Sequence, residues 1–378
     1  MMRPTQARIS TTALRHNLSI VQKALSRGTR VMGVVKANCY GHEAEVCLPP
    51  LQEGGVDVFG VATVEEAREL RYHGIRDRIV LLTSPFLSER EAFPELDIEP
   101  LISDKETARW LSATAEAHGI VLQSHIYIDT GMTRNGVNPE EALELTRYVS
   151  QLPGLALKGI ASHFATSESP DHSYALQQLS QFDGTYREVR DAGFDFDEVH
   201  IANSGGILNF PDSHYTLVRP GIALYGYHPA MEEQKNSGFR PVMSLYSVVS
   251  SMRRVPEGRA VSYGARYRTS QETYIATLPI GYGDGLMRQL TGKLDVLVKD
   301  SRYPVVGTIC MDEIMIDLGP TTSVAVGDEV CLIGTSGEES ISAWDIAEKG
   351  GTIAYEITTM ISQRVPRRAI KTIEEHIL

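Results

Sequence analysis

Val31-Met32-Gly33-Val34-Val35-Lys36-Ala37-Asn38-Cys39-Tyr40-Gly41-His42-Glu43 is the stretch around which the chain is organised. An apolar, β-branched run ends at a lysine, and a polar loop carrying a tyrosine and a glycine follows. Val31 to Val35 has the composition of a strand buried on both faces, which belongs to a parallel sheet. Lys36 then stands at the carboxyl end of that strand, where parallel α/β folds gather their chemistry. An amine at the edge of an apolar wall has a lowered pKa, because burial disfavours its charged form. A neutral amine can form a Schiff base. Taken alone, the stretch serves equally well as a surface lysine snorkelling into water, so the rest of the chain must decide.

Outward from Lys36 the pattern alternates strand and helix. Strands are expected over 58–62, 79–82, 99–102, 121–128, 157–162, 199–202 and 217–218, with helices between them. Asp104 is the expected N-cap of one helix, and Pro139 opens another. With 31–35 these make eight strands by residue 218, the count of an eight-stranded (β/α)8 TIM-type barrel. After about residue 230 the runs become short and β-rich, broken at Gly258, Gly292, Gly307 and Gly327. The expected organisation is a barrel domain over 1–235 and a mostly β domain over 236–378, with helices near 342–349 and 352–361.

Composition narrows the function classes. The 378 residues are 42% hydrophobic and 22% charged, an ordinary globular balance. A net charge of −12 argues against a nucleic-acid binder. Cys39, Cys47, Cys310 and Cys331 show no paired spacing, so neither a disulfide framework nor a metal site is expected. The first residues lack the apolar core of a secretion signal, and no run reaches the ~20 apolar residues of a membrane span. The cytoplasm is the expected location.

The residues at or just past the expected strand ends are Lys36, Thr63, Thr83, Asp129, His163, Ser204 and Arg219. In a barrel these converge at one mouth, and packing alone has no need for lysine, histidine and arginine on one rim. Asn203-Ser204-Gly205-Gly206 and Arg219-Pro220-Gly221-Ile222 are glycine-bearing strand ends in late barrel positions. Barrels often hold phosphate there on backbone N–H groups; two ordinary tight turns are the plainer reading. A lysine suited to a Schiff base, facing a phosphate cradle, suggests pyridoxal phosphate.

On these motifs the chain resembles the pyridoxal-phosphate-dependent alanine racemases. The resemblance is carried by Val34 to His42, Asp129-Thr130-Gly131-Met132-Thr133-Arg134-Asn135-Gly136, Ser162-His163-Phe164-Ala165 and Ala202-Asn203-Ser204-Gly205. It continues through Arg219-Pro220-Gly221-Ile222, Val261-Ser262-Tyr263-Gly264, Gly281-Tyr282-Gly283-Asp284-Gly285, Cys310-Met311-Asp312 and Arg364-Val365-Pro366-Arg367. The motifs fall in order along the whole chain. The resemblance implies a head-to-tail homodimer in which each site joins one barrel mouth to the partner's β domain.

It also implies roles. Lys36 resembles the lysine that holds the cofactor and serves as one base; Tyr263, from the partner, resembles the base on the opposite face. His163 resembles the ring-side histidine, able to bond Tyr263. Arg219 matches the residue facing the pyridine nitrogen, and His200 would orient it or simply be a satisfied core histidine. Arginine only donates hydrogen bonds, so the ring nitrogen stays an unprotonated acceptor and the ring a weaker electron sink. Tyr40, Ser204, Gly221, Ile222 and Tyr355 carry over to the phosphate. Arg134 and the Met311 N–H carry over to the substrate carboxylate, and Tyr282 and Tyr355 narrow the approach in favour of a small side chain. The implied reaction is interconversion of L- and D-alanine, supplying D-alanine for peptidoglycan. Alternatives are a racemase of broader specificity, a related amino-acid decarboxylase or a non-catalytic cofactor-binding protein. Two positions depart from the pattern: Tyr127 stands where many relatives carry a lysine that braces Arg134, and Thr133 replaces the usual glycine. The Tyr127 hydroxyl or a bound anion would then brace Arg134.

Overall fold

The computed structural model describes residues 3–371. The chain divides into two compact units, one of residues 15–39 and 48–239, the other of residues up to 14, 40–47 and 240 onward.

The first unit contains an eight-stranded parallel sheet. Its strands are Arg30–Val34, Val58–Val61, Arg78–Leu81, Ile98–Ile102, Leu122–Tyr127, Leu155–Ala161, Glu198–His200 and Leu217–Val218. Each pairs with the next along the chain as far as Glu198–His200, and Leu217–Val218 pairs back onto Arg30–Val34. Glu198–His200 and Leu217–Val218 are bridged by Thr216 N–H to Val199 O (3.3 Å) and Arg219 N–H to Ala202 O (2.9 Å), so the barrel is nearly closed. All eight expected strands are present. Met32, Val58, Val80, Leu101, Tyr127, Ala161 and Leu217 meet in one buried cluster. Strand residues two apart share a face, and this one supplies the filling that makes a barrel interior solid. Each large aliphatic side chain there contributes on the order of 1.5–3 kcal/mol.

Helices begin where the sequence provides caps. Asp104 accepts the Thr107 N–H at 2.8 Å and starts Lys105–Ala117. Thr63 and Glu66 form a capping box ahead of Val64–Tyr72. Asn138-Pro139 opens a 3-10 turn, Pro139–Glu141, before the helix Ala142–Ser150.

The second unit is a ten-stranded, mostly antiparallel sheet. The expected run over 243–254 is two strands, Met243–Val248 and Ser251–Val255, interrupted at Val249-Ser250. Gln6–Ser10, which sequence reading left unassigned, is a full member, antiparallel to Met243–Val248 and parallel to Arg367–Ile370. Arg8 fastens it: its guanidinium lies 4.0 Å from the Tyr246 ring centroid and pairs with Glu329. Ser342 and Asp345 form the capping box of Ala343–Gly350. Among the described residues no helix is long and apolar enough to cross a membrane.

Candidate active site

Two groups of the expected site residues are distinguishable, one in each unit. The barrel unit holds Lys36, Arg134, His163, Ser204, Arg219, Gly221 and Ile222; the β unit holds Tyr40, Tyr263, Tyr282, Met311 and Tyr355.

Lys36 follows a strand tied down on both sides, with Val34 N–H on Pro220 O (3.1 Å) and Val35 N–H on Gly60 O (2.9 Å). The backbone then turns left-handed for four residues, with φ of 50° at Ala37, 51° at Asn38, 57° at Cys39 and 55° at Tyr40. Such a run is disfavoured for L-residues by roughly 1–2 kcal/mol each. Glu66 supports its start, accepting Ala37 N–H (2.7 Å) on one oxygen and Ala62 N–H (2.7 Å) on the other. Burial lowers the Lys36 pKa; the cations Arg134 and Arg219 add to the effect and Glu66 opposes it.

Arg219 is buried, and burial brings its pKa down to about 10. Its Nη1 donates to His200 Nδ1 (2.6 Å) and His200 O (2.9 Å). Its Nη2 donates to Ser162 O (2.6 Å), His163 Nδ1 (3.0 Å) and Ile201 O (3.2 Å). The Nε–H is the donor left with no acceptor among the described residues. Because Arg219 occupies His163 Nδ1 as donor, the neutral His163 ring carries its proton on Nε2. Burial holds His163 well below the usual histidine range, helped by Arg219, Arg134 and Lys36.

The late strand ends are stitched together. Ser204 Oγ accepts Gly221 N–H (3.0 Å) and Ala223 N–H (3.3 Å), while Asn203 caps Ser204–Asn209 through Gly206 N–H (3.0 Å). Gly221 N–H is thereby taken within the protein. The N–H groups of Ser204, Gly205 and Ile222 have no acceptor among the described residues. Unaccepted amides from joined, glycine-bearing loops suit a phosphate. A buried amine, these amides and the spare Arg219 Nε–H match the aldehyde, phosphate and ring nitrogen of pyridoxal phosphate.

Arg134 follows a loop held by one carboxylate. Asp129 Oδ1 accepts Gly131 N–H (2.9 Å), Met132 N–H (2.9 Å) and Thr133 N–H (3.0 Å). Thr133 is itself left-handed, at φ 54°. Tyr127 is buried, and no hydrogen bond joins its hydroxyl to Arg134 among the described residues.

In the β unit, Tyr40 and Tyr355 approach with ring centroids 6.0 Å apart. A side chain on Gly41 would strike the Thr358 carbonyl, so glycine permits this packing. Tyr263 sits on a turn that begins at Ser262, where φ is 66°. Thr308 Oγ donates to Tyr263 O (2.7 Å) and Ser262 Oγ donates to Thr308 O (2.6 Å). Tyr282 N–H and Gly283 N–H reach Cys310 O (2.9 Å) and Met311 O (2.8 Å). The backbones are thus fixed, yet Tyr263 is 72% exposed and Met311 52%.

Sequence reading gave Glu66 and Glu99 no role, placed His125 only on a strand face, and counted Asp129 among the strand ends at the barrel mouth without seeing what it holds. The available signal was a charge inside an apolar strand, as in Ile98-Glu99-Pro100-Leu101-Ile102, which demands a buried partner.

A family model described as the alanine racemase N-terminal domain matches residues 9–229, and one described as the alanine racemase C-terminal domain matches residues 242–369. Alanine racemase 1 of Clostridium acetobutylicum is 40% identical over 372 residues, covering 98% of this chain and 96% of the relative. The alanine racemase of Desulfovibrio desulfuricans is 41% identical over 368 residues, covering 97% and 98%. Among solved structures, alanine racemase from Clostridium difficile superposes with a TM-score of 0.93 at 35% identity, covering 97% of this chain and 96% of that one. The Bacillus anthracis alanine racemase with bound L-Ala-P gives 0.92 at 34% identity, covering 99% and 97%.

Proposed function

The chain belongs to the alanine racemase family of pyridoxal-phosphate-dependent isomerases, and from that premise we propose that Lys36 and Tyr263 are its two bases in interconverting L- and D-alanine. The observation that carries the reading is Lys36, a strand-end amine depressed by burial and by neighbouring cations. When bound, pyridoxal phosphate supplies the conjugated system that spreads the charge left by the α-proton. Lys36 Nζ is the group that would hold the cofactor and, as a free amine, would move a proton on one face of the α-carbon.

Tyr263 moves the proton on the opposite face. Its exposure supports delivery from one subunit into another's barrel mouth, within a cytoplasmic homodimer. The His163 Nε2–H is the group suited to bond the Tyr263 oxygen. Arg219 would offer its Nε–H to the ring nitrogen and, being able only to donate, would favour the unprotonated ring, which would limit side reactions such as transamination. Ser204 and Ile222 offer N–H groups to the phosphate; Gly221 orients that loop, and Tyr40 and Tyr355 add hydroxyls. Arg134 and the partner's Met311 N–H hold the substrate carboxylate, with Tyr282 restricting side-chain size. The D-alanine formed serves peptidoglycan assembly.

The assay follows D-alanine and carbon dioxide from L-alanine. D-Alanine without carbon dioxide is expected; carbon dioxide alone would indicate a decarboxylase, for which a carboxylate rather than Arg219 suits the ring nitrogen. Tyr263→Phe should lose activity in both directions while retaining the cofactor's visible absorbance, and activity close to the parent protein in both directions would reject Tyr263 as a base.

A further inference from the structure

Behind Arg219 a line of polar side chains runs through the barrel unit. His200 Nε2 lies 3.1 Å from His125 Nδ1, and His125 Nε2 lies 3.0 Å from Glu99 Oε2. Glu99 is gripped by Arg78, Nε to Oε1 (2.6 Å) and Nη2 to Oε2 (2.6 Å). Arg78 also binds Glu198 (Nη2 to Oε2, 3.0 Å), which Arg30 meets through Nη1 at 3.0 Å. His125 and His200 are fully buried, and Glu99 is 5% exposed. Glu99, His125 and Glu198 lie close enough to share a cation, but the Arg78 guanidinium already bridges the two carboxylates.

Only one arrangement of protons satisfies the line. Arginine donates and never accepts, so His200 Nδ1 is bare and its proton sits on Nε2. That proton is donated to His125 Nδ1, which is therefore also bare. The His125 proton then sits on Nε2 and is donated to the Glu99 carboxylate. A doubly protonated His125 would require His200 to be bare at both nitrogens, an imidazolate. Every hydrogen bond runs in one direction, so the line is a fixed dipole with an anion at its end and not a proton wire. Burial and the cations Arg219 and Arg78 keep His200 from taking a second proton. Burial opposes the charge on Glu99, but hydrogen bonds from Arg78 and His125 outweigh it and hold its pKa at about 2.

We propose that His125 and Glu99 are positioning residues for Arg219: the anchored carboxylate sets both imidazole protons on Nε2, so His200 Nδ1 always faces the guanidinium as an acceptor. Arg219 is thereby held in the pose that commits both Nη groups and leaves Nε–H for the cofactor. The effect on the reaction rests on the reading of Arg219 given above, whereas the proton arrangement does not.

Two measurements on the full-length, cofactor-loaded protein test this. Long-range ¹H–¹⁵N spectra of ¹⁵N-histidine-labelled protein at about pH 7.5, assigned with His125→Gln and His200→Gln, are expected to show both rings as neutral Nε2–H tautomers, with His200 unchanged down to about pH 5.5. An Nδ1–H tautomer or a cationic ring at either position overturns the proposal. In the second measurement, His125→Leu is expected to shift the cofactor's visible band and lower kcat by roughly 10- to 100-fold with little change in the KM for alanine. His125→Gln, whose amide can accept from His200 and donate to Glu99, should restore most of both. A leucine variant with the parental band and kcat, or equal losses in both variants, overturns it; if the leucine variant does not fold, the tautomer measurement on the unmutated protein decides. A parent protein without a visible band would instead fail the active-site reading, and the tautomers would still be read in the same way.

Discussion

Thr133 stands in the left-handed region immediately before Arg134, at the position where the family resemblance leads one to expect glycine. A β-branched residue there costs about 1–2 kcal/mol, and glycine would add roughly 0.5–1 kcal/mol of chain entropy on unfolding. Thr133→Gly should therefore leave stability unchanged or raise it by up to about 1 kcal/mol, read as the urea midpoint. A clear loss would mean that the threonine side chain is held by something beyond its backbone. Glu99 behaves oppositely. Removing it leaves the buried His125 N–H without an acceptor and Arg78 with Glu198 alone, and breaking a buried pair typically costs about 3–5 kcal/mol. Glu99→Ala should fall in that range in the same titration. The two residues differed in how openly the sequence announced them. Thr133 was visible as a departure from a motif. The partners of Glu99 were not, because they arrive from strands 21 and 26 residues away in the chain.

The loop from Asp129 to Gly136 is organised by a single oxygen. A carboxylate accepting several backbone N–H groups makes hydrogen bonds worth about 1.5–3 kcal/mol each to a charged acceptor. Asp129→Ala should free the Gly131, Met132 and Thr133 amides, raising their hydrogen-exchange rates. On the proposed role of Arg134 it should also raise the KM for alanine about tenfold or more, with a smaller change in kcat. Unchanged exchange would show that the loop is held elsewhere. Elements of this kind divide by how local their cause is. Barrel strands such as Val58–Val61 and Arg78–Leu81 were readable because a doubly buried strand is a largely apolar run. The Asp104 and Ser342 caps were readable because each lies within three positions of its partner; the Thr63 cap, equally local, was read only as a strand end. The left-handed turn after Lys36 was not readable: of Ala37, Asn38 and Cys39 only the asparagine favours that conformation, and Glu66 supplies support from 29 residues away. Gln6–Ser10 was missed for the same reason, since its partners begin at Met243 and Arg367.

For the protein as a whole, buried titrating groups set the response to pH. His163 and His200 stay neutral in the folded barrel unit, while the unfolded chain takes up protons near their usual pKa of 6.5. Below that pH the unfolded state binds more protons, so stability falls as the solution is acidified. Glu99 adds a second loss between 4.5 and about 2. Thermal unfolding midpoints should decline from about pH 6.5 downward; a flat profile to pH 5 would mean the histidines titrate normally. The proposed sharing of sites between subunits has its own signature. Lys36→Ala and Tyr263→Phe proteins should each be inactive, yet dissociated and reassociated together they should recover about a quarter of parental activity, because half the dimers are mixed and each mixed dimer has one intact site. No recovery after demonstrated exchange of subunits would place both residues in one chain's site.

The placement of Gln6–Ser10 also bears on how the protein is made. This strand leaves the ribosome well before its neighbours in the sheet, Met243–Val248 and Arg367–Ile370, are synthesised. At roughly 5–20 residues per second the first of these follows after about 10 to 50 s. Through that interval a strand edge waits while the barrel sequence between them emerges and can fold. Nascent chains stalled before residue 243 should therefore expose Gln6–Ser10 to protease, and chaperones that shield unpaired edges should matter most in that window.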